Sequence, residues 1–175
     1  MARGTEIENA RMGSGNDTVI GNAADNRIWG DGGRDRLYGG EGQDRLYGGG
    51  GRDHLFGGSQ NDRLYGRNGN DYFDSGEGND LMIGGDGADS FFYGFGHDRD
   101  RIRDFTFDSD ALVFTALDFG TEDAQGLVDT YARVTARGIQ FNFGTDLTSG
   151  ASTNDRLTLL GIYDLDALVD DIVFV

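Results

Sequence analysis

One apolar position returns every nine residues along the first part of the chain: Val19, Ile28, Leu37, Leu46, Leu55, Leu64, Phe73, Met82 and Phe91. Ten consecutive frames of nine carry it without insertion from Met12 to Arg101, and the series fails only at Asp100. Such a period fits neither the 3.6-residue spacing of a helix nor the sustained alternation of a long strand. The first six places of each frame are rich in glycine, which would weaken a helix by about 1 kcal/mol per residue relative to alanine. They read as a turn in which glycine supplies positive φ and close backbone approach. The last three places, polar-apolar-polar or polar-apolar-aromatic, make a very short strand with a single inward side chain.

A unit this small buries nothing alone and must stack on its neighbours. The pattern therefore predicts an all-β chain: a right-handed parallel β-roll, a solenoid of about five turns over residues 12–101, preceded by a lead-in strand at 1–11. Beyond Arg101 glycine thins out, and apolar segments at Asp110 to Thr115, Ile139 to Phe143 and Leu157 to Ile162 alternate like half-buried strands. Short helices are predicted at Glu122 to Arg133 and Asp164 to Val169, and 102–175 as a whole reads as a small, mainly-β C-terminal cap.

Composition changes what such a roll requires. The 175 residues hold 31 Gly and 31 Asp+Glu against 15 basic residues, all Arg, for a formal net charge of -16. Nucleic acid is excluded as a natural partner, because phosphate binding needs the opposite balance. So much like charge opposes compaction unless a cation neutralises it. The chain has no cysteine, so thiolate sites and disulfides are absent. No run of apolar residues is long enough to span a membrane, and the first residues lack the apolar stretch of a cleavable signal peptide.

The sixth place of the frame supplies the acid: Asp17, Asp35, Asp44, Asp53, Asp62, Asp71, Asp80, Asp89 and Asp98, with Asn26 as the one exception. Asp and Gly also dominate ordinary turns; ten frames in phase turn the argument to a metal. A hard cation such as Ca²⁺ takes six to eight oxygens from carboxylates and backbone carbonyls. The turn glycines, among them Gly33, Gly40, Gly42, Gly49, Gly51 and Gly58, let the carbonyls point to one place. If two frames make one circuit, frames two apart stack, and seven pairs carry two carboxylates each: Asp17 with Asp35, Asp35 with Asp53, Asp53 with Asp71, Asp71 with Asp89, Asp44 with Asp62, Asp62 with Asp80, and Asp80 with Asp98. About seven Ca²⁺ ions would nearly cancel the formal charge. In their absence, carboxylates stacked at about 4 Å would repel by on the order of 4 kcal/mol at an effective dielectric near 20.

The frames MGSGNDTVI, GDGGRDRLY, GGEGQDRLY and SGEGNDLMI resemble the GGxGxDxUx nonapeptides of RTX, or haemolysin-type calcium-binding, repeats. Ile7-Glu8-Asn9-Ala10 and Gly94-Phe95-Gly96-His97-Asp98 with Ile102-Arg103-Asp104-Phe105 resemble the opening and closing segments of the repeat domain in serralysin-type metalloproteases. The resemblance implies a roll with two nonapeptides per turn and Ca²⁺ between stacked turns. It also implies a secreted, extracellular setting, the type I secretion machinery as partner, and a covalently linked N-terminal domain. Asp170-Asp171 before Ile172 to Val175 resembles a type I secretion signal and also reads as a terminal edge strand, and the two readings can both hold. Ala24 and Gln60 at the fourth place, Asp31 and Arg67 at the second, and Asn26 at the sixth depart from the pattern and predict weaker or empty sites.

No catalytic constellation stands out. His54 and His97 are the only histidines, neither lies in an HExxH helix, and no G-x-S-x-G elbow occurs. The chain reads as a non-catalytic module that folds on extracellular Ca²⁺ and supports secretion and folding of a larger protein. The alternative is a carbohydrate- or surface-binding module, for which the ninth-place aromatics Trp29, Tyr38, Tyr47, Phe56 and Tyr65 would supply a stripe. The same rings are better suited to packing one sheet face against the C-terminal cap or covering the outside of the roll.

Overall fold

The computed structural model describes residues 8–115, 123–143 and 155–175. The first ten strands are β1 (Asn9–Ser14), β2 (Thr18–Ile20), β3 (Arg27–Gly33), β4 (Arg36–Glu41), β5 (Arg45–Gly51), β6 (His54–Ser59), β7 (Arg63–Asn68), β8 (Tyr72–Glu77), β9 (Leu81–Asp86) and β10 (Ser90–Tyr93). Odd-numbered strands pair in parallel in one sheet and even-numbered strands in the other. The register is 18 residues, as in Leu46↔Leu64 and Leu37↔Leu55. Two frames therefore make one circuit, as the period requires.

Each circuit contributes two inward side chains. Ala10, Ile28, Leu46, Leu64 and Met82 line one sheet and Val19, Leu37, Leu55, Phe73 and Phe91 the other, all buried in the seam between the sheets. Neighbours within a sheet are close enough that Phe73 and Phe91 stack at 4.8 Å.

The sequence repeat stops near Arg101, but the winding does not. β11 (Arg99–Ile102) and β12 (Ala111–Phe114) continue the two sheets. Their registers are lengthened, with Arg101 opposite Leu81 and Ala111 opposite Ser90. Helix α1 (Ala124–Tyr131) follows, N-capped by Asp123, whose carboxylate accepts the amides of Gln125 and Gly126. The hairpin β13 (Ala132–Thr135) and β14 (Gly138–Asn142) pairs antiparallel with β15 (Arg156–Leu160), and β15 lies parallel on β11. A short helix α2 (Leu165–Leu168) and a 3-10 turn (Val169–Asp171) lead to β16 (Ile172–Phe174), which lies parallel on β12. With these strands added to the turns of residues 12–101, the solenoid as a whole reaches about six turns. Phe114, Phe141 and Phe143, all fully buried, close its end together with Tyr93.

Candidate metal centres along the two edges

Turns built from the first six places of the frame join the sheets, and their backbone is what the glycines permit. φ is positive at most of the second and fourth places, as at Gly49 (119°) and Gly51 (127°). A methyl group on Gly51 would overlap the Gly33 carbonyl oxygen of the turn below, and one on Gly49 would overlap that of Asp31. The carbonyls of the second and fourth places therefore aim along the roll axis, from each turn toward the next. Asp31 (70°), Gln60 (77°) and Arg67 (82°) hold the same left-handed geometry without being glycine.

The sixth-place carboxylates form two columns, one along each edge. In Asp35, Asp44, Asp53, Asp62, Asp71, Asp80 and Asp89, Oδ1 accepts the backbone amide of the sixth-place residue one turn earlier, as from Asp35 N to Asp53 Oδ1 (2.8 Å) and from Asp44 N to Asp62 Oδ1 (2.8 Å). The next amide donates to that earlier residue's carbonyl, as His54 N does to Asp35 O (2.8 Å). Contrary to the expectation from the sequence, stacked acids do not face each other directly: an amide N–H stands between them, as from Asp53 N to Asp71 Oδ1. The other oxygen, Oδ2, has no partner and is buried in Asp35, Asp44, Asp53, Asp62, Asp71, Asp80 and Asp89.

The orphan Oδ2 atoms of Asp35, Asp44, Asp53, Asp62, Asp71 and Asp89 lie over the first-place glycine of their own turn, the first five of them beside a carbonyl of the next turn. A methyl group on Gly48 would stand 2.5 Å from Asp53 Oδ2 and 3.0 Å from the Gly66 carbonyl oxygen. Over these glycines the space is a cradle that a side chain would fill, and of the seven turns that of Asp80 alone has a serine, Ser75, at this place. Burial, the largest cause, pushes the carboxyls up: Asp71 to about 6, Asp89 to about 7 and Asp62 to about 8. The amide donors pull the other way, and the neighbouring carboxylates add to the rise. Asp35, Asp44, Asp53 and Asp80 are raised for the same leading reason.

Among the described residues no group of three His, Asp or Glu side chains is placed to hold a metal. The converging oxygens are instead carboxylate and backbone carbonyl, the hard-cation donor set. An unpartnered buried carboxylate oxygen costs several kcal/mol unless something satisfies it, and the donor chemistry fits Ca²⁺. The ion would be held by sixth-place carboxylates of two successive turns and by turn carbonyls, including those of Gly33, Gly40, Gly42, Gly49, Gly51 and Gly58. Bound there, it supplies the positive charge that the acids lack and ties one turn to the next.

The C-terminal end of each column departs from the sequence expectation. Asp98, expected to pair with Asp80, leaves the column: its φ is 52°, and its carbonyl accepts the Tyr93 hydroxyl and the Arg156 amide. The lengthened turn moves Asp100 into the vacated place, where Oδ1 accepts Asp80 N (3.0 Å) and Oδ2 accepts Ser75 Oγ (2.8 Å). On the other edge Asp110 follows Asp89 in the same way, with Oδ1 accepting Asp89 N (2.9 Å) and Oδ2 accepting Thr106 N (2.9 Å). Sequence reasoning missed both residues because they fall out of phase. The local signal was present: Asp100-Arg101-Ile102 and Asp110-Ala111-Leu112 repeat the acid-x-apolar order of Asp35-Arg36-Leu37.

The histidines separate clearly. His97 is buried, 3.8 Å from both Asp74 and Asp100, in the closing turn. His54 lies half-buried on an outer face against Tyr72, its pKa lowered by burial and then by Arg36 and Arg52. The aromatic stripe divides because alternate frames go to opposite sheets. Trp29, Tyr47 and Tyr65 stack on one outer face at 5.3 and 4.8 Å, while Tyr38 and Phe56 stack on the other at 4.6 Å.

A parallel roll whose two edges carry columns of half-satisfied carboxylates is a calcium-binding repeat solenoid. The family model of the RTX calcium-binding nonapeptide repeat (4 copies) matches residues 13–46, 47–82 and 65–100, together half of the chain, and the protein belongs to that family. Among solved structures, the AlgE6R3 subunit of the Azotobacter vinelandii mannuronan C5-epimerase is similar at 28% identity and a TM-score of 0.37, over 91% of this chain and 78% of its own. The extracellular lipase LipA of Serratia marcescens is similar at 19% identity and a TM-score of 0.44, over 94% of this chain but only 40% of its own. Curated protein sequences gave no match.

Proposed function

We propose that this calcium-binding repeat module is a folding switch for a larger secreted protein: unfolded where calcium is scarce, exported in that state through a type I system, and wound into the roll by extracellular Ca²⁺. The observation that carries this reading is the series of buried, unpartnered Oδ2 atoms, each of which disfavours the metal-free fold. An ion that binds only the folded turns drives folding by mass action. Each ion would touch two turns, so occupancy of one cage prepares the next. The C-terminal segment suits the same sequence of events. Asp171 is buried and accepts Asp108 N, and Ile172–Phe174 is a strand on β12, so a signal in these residues is legible only before the roll closes. The module itself is non-catalytic in this reading.

The test is a calcium titration of the metal-free chain followed by far-ultraviolet circular dichroism. Cooperative gain of β signal is expected with a midpoint at about 10⁻⁴ to 10⁻³ M, the range of extracellular modules. Full β signal in excess chelator would refute the switch.

A second reading, attachment to polysaccharide, is favoured by one outer face. There the column Trp29, Tyr47, Tyr65 runs beside Arg27, Arg45 and Arg63, and Arg67 lies over the Tyr47 ring at 5.2 Å. Stacked rings beside guanidinium groups suit an acidic sugar polymer. Titration of the calcium-loaded chain with acidic oligosaccharides, followed by Trp29 fluorescence, separates this from a face that only shields the sheet.

A further inference from the structure

The acid column that leads into the odd-numbered strands begins with an amide. Asn26, 2% exposed, occupies the sixth place where the following turns have Asp44, Asp62 and Asp80. Its Nδ2 donates to Ala24 O at 2.6 Å, to Asp44 Oδ1 at 2.9 Å, to Gly39 O at 3.3 Å and to Asn22 O at 3.4 Å. These acceptors are the second- and fourth-place carbonyls of its own turn and the first-place carbonyl and carboxylate of the next. The Gly39 carbonyl among them corresponds to the first-place carbonyl of the next turn that lies beside the orphan Oδ2 atoms further along the roll.

Given the calcium reading proposed above, we infer that the Asn26 side-chain amide takes over the cation's role in this first cage, so that the metal ladder of this edge begins one turn later, between Asp44 and Asp62. Its Nδ2 stands where later turns have Oδ2 and, as a donor, satisfies the oxygens that an ion would otherwise satisfy. Every atom facing Nδ2 is an acceptor, and only an N–H donor or a cation satisfies such a set. The other amide atom, Oδ1, is buried without a partner. Reversing the amide would turn it into the cluster and set five oxygens together, with only the Asn26 backbone N–H, already donated to Asp44 Oδ1, among them. The substitution also removes one negative charge, leaving Asp44 as the only carboxylate of the cage. The N-terminal turn of this edge is thereby joined to the next without metal, and gives the calcium-dependent turns an end on which to stack.

The test is calcium stoichiometry of the full chain, by equilibrium dialysis and elemental analysis, for wild type, Asn26→Asp and Asn26→Ala. Asn26→Asp restores the second carboxylate and is expected to bind one more ion per chain than wild type. Asn26→Ala removes the donor but no ligand and is expected to bind the same number as wild type. An Asn26→Asp chain with no extra ion, or an Asn26→Ala chain that loses one, would show that Asn26 is itself a calcium ligand and overturn the assignment. The alanine arm decides the matter even if the aspartate variant does not fold. A wild-type chain that takes up no calcium refutes the metal reading of all the cages, this one included.

Discussion

Acid should order the metal-free chain, and the structure gives the size and sign of the effect. In the roll the Asp62 carboxyl is pushed from 3.8 to about 8, chiefly by burial. At 1.36 kcal/mol per pKa unit, holding that one group ionised costs the folded state on the order of 5 kcal/mol. A whole domain is stable by only about 5–15 kcal/mol. Asp71 and Asp89, at about 6 and about 7, add to the burden. Because these folded values lie above the unfolded one, their protonated forms favour the roll. That contribution is complete below about pH 4, the unfolded value, and is lost as pH rises through 6 to 8. With Ca²⁺ bound the dependence reverses, because protons compete with the ion for the same oxygens. The assay is far-ultraviolet circular dichroism of the metal-free chain from pH 8 to pH 5, beside thermal melts of the calcium-loaded chain over the same range. The expected result is opposite slopes: acid raises order without calcium and lowers the melting temperature with it. Slopes of the same sign, or a metal-free roll fully ordered at pH 8, would refute the reasoning.

Two further outcomes follow from the turns. Asp62→Ala should lower calcium stoichiometry and cooperativity, because this carboxylate sits between two successive cages. Asp123→Ala should leave both unchanged and cost only about 1 kcal/mol of helix capping; equal calorimetric losses in the two variants would contradict the cages. The same comparison at Asp118 and Asp129, also outside the repeat, concerns a residue and a side chain beyond the described parts of the structure. Gly51→Ala puts a side chain at φ 127° against the Gly33 carbonyl and should cost at least about 1–3 kcal/mol. Gln60→Gly, which relieves a left-handed non-glycine residue at 77°, should gain about 1 kcal/mol. Melts in saturating calcium that do not separate these two variants would show that the turn backbone is not the constraint described.

Much of the architecture is already written in the sequence, because the information in a nonapeptide is local. The inward column from Val19 to Phe91, the parallel register of 18, and the acids from Asp17 to Asp89 all follow from one side chain per strand and one turn per frame. The tail strands were also legible: Asp110 to Thr115, Ile139 to Phe143 and Leu157 to Ile162 contain or overlap β12, β14 and β15. The expected helices match α1 and α2 within a few residues, although Glu122 and the lead-in before Glu8 lie outside the described residues.

Only the tertiary structure decided what happens where the phase breaks. Asp100 and Asp110 rejoin the columns, and Asp98 leaves, because Ile102 and Leu112 must stay in the apolar seam above Met82 and Phe91. Burial of those side chains fixes the register, and the extra residues bulge into the turns. The division of the aromatic stripe into two stacked columns likewise required knowing that alternate frames face opposite ways. The role of Asn26 was the least legible. In the sequence it is an acid lost from the series; in the fold it is a hydrogen-bond donor, because residues from two turns bring their oxygens to its amide nitrogen.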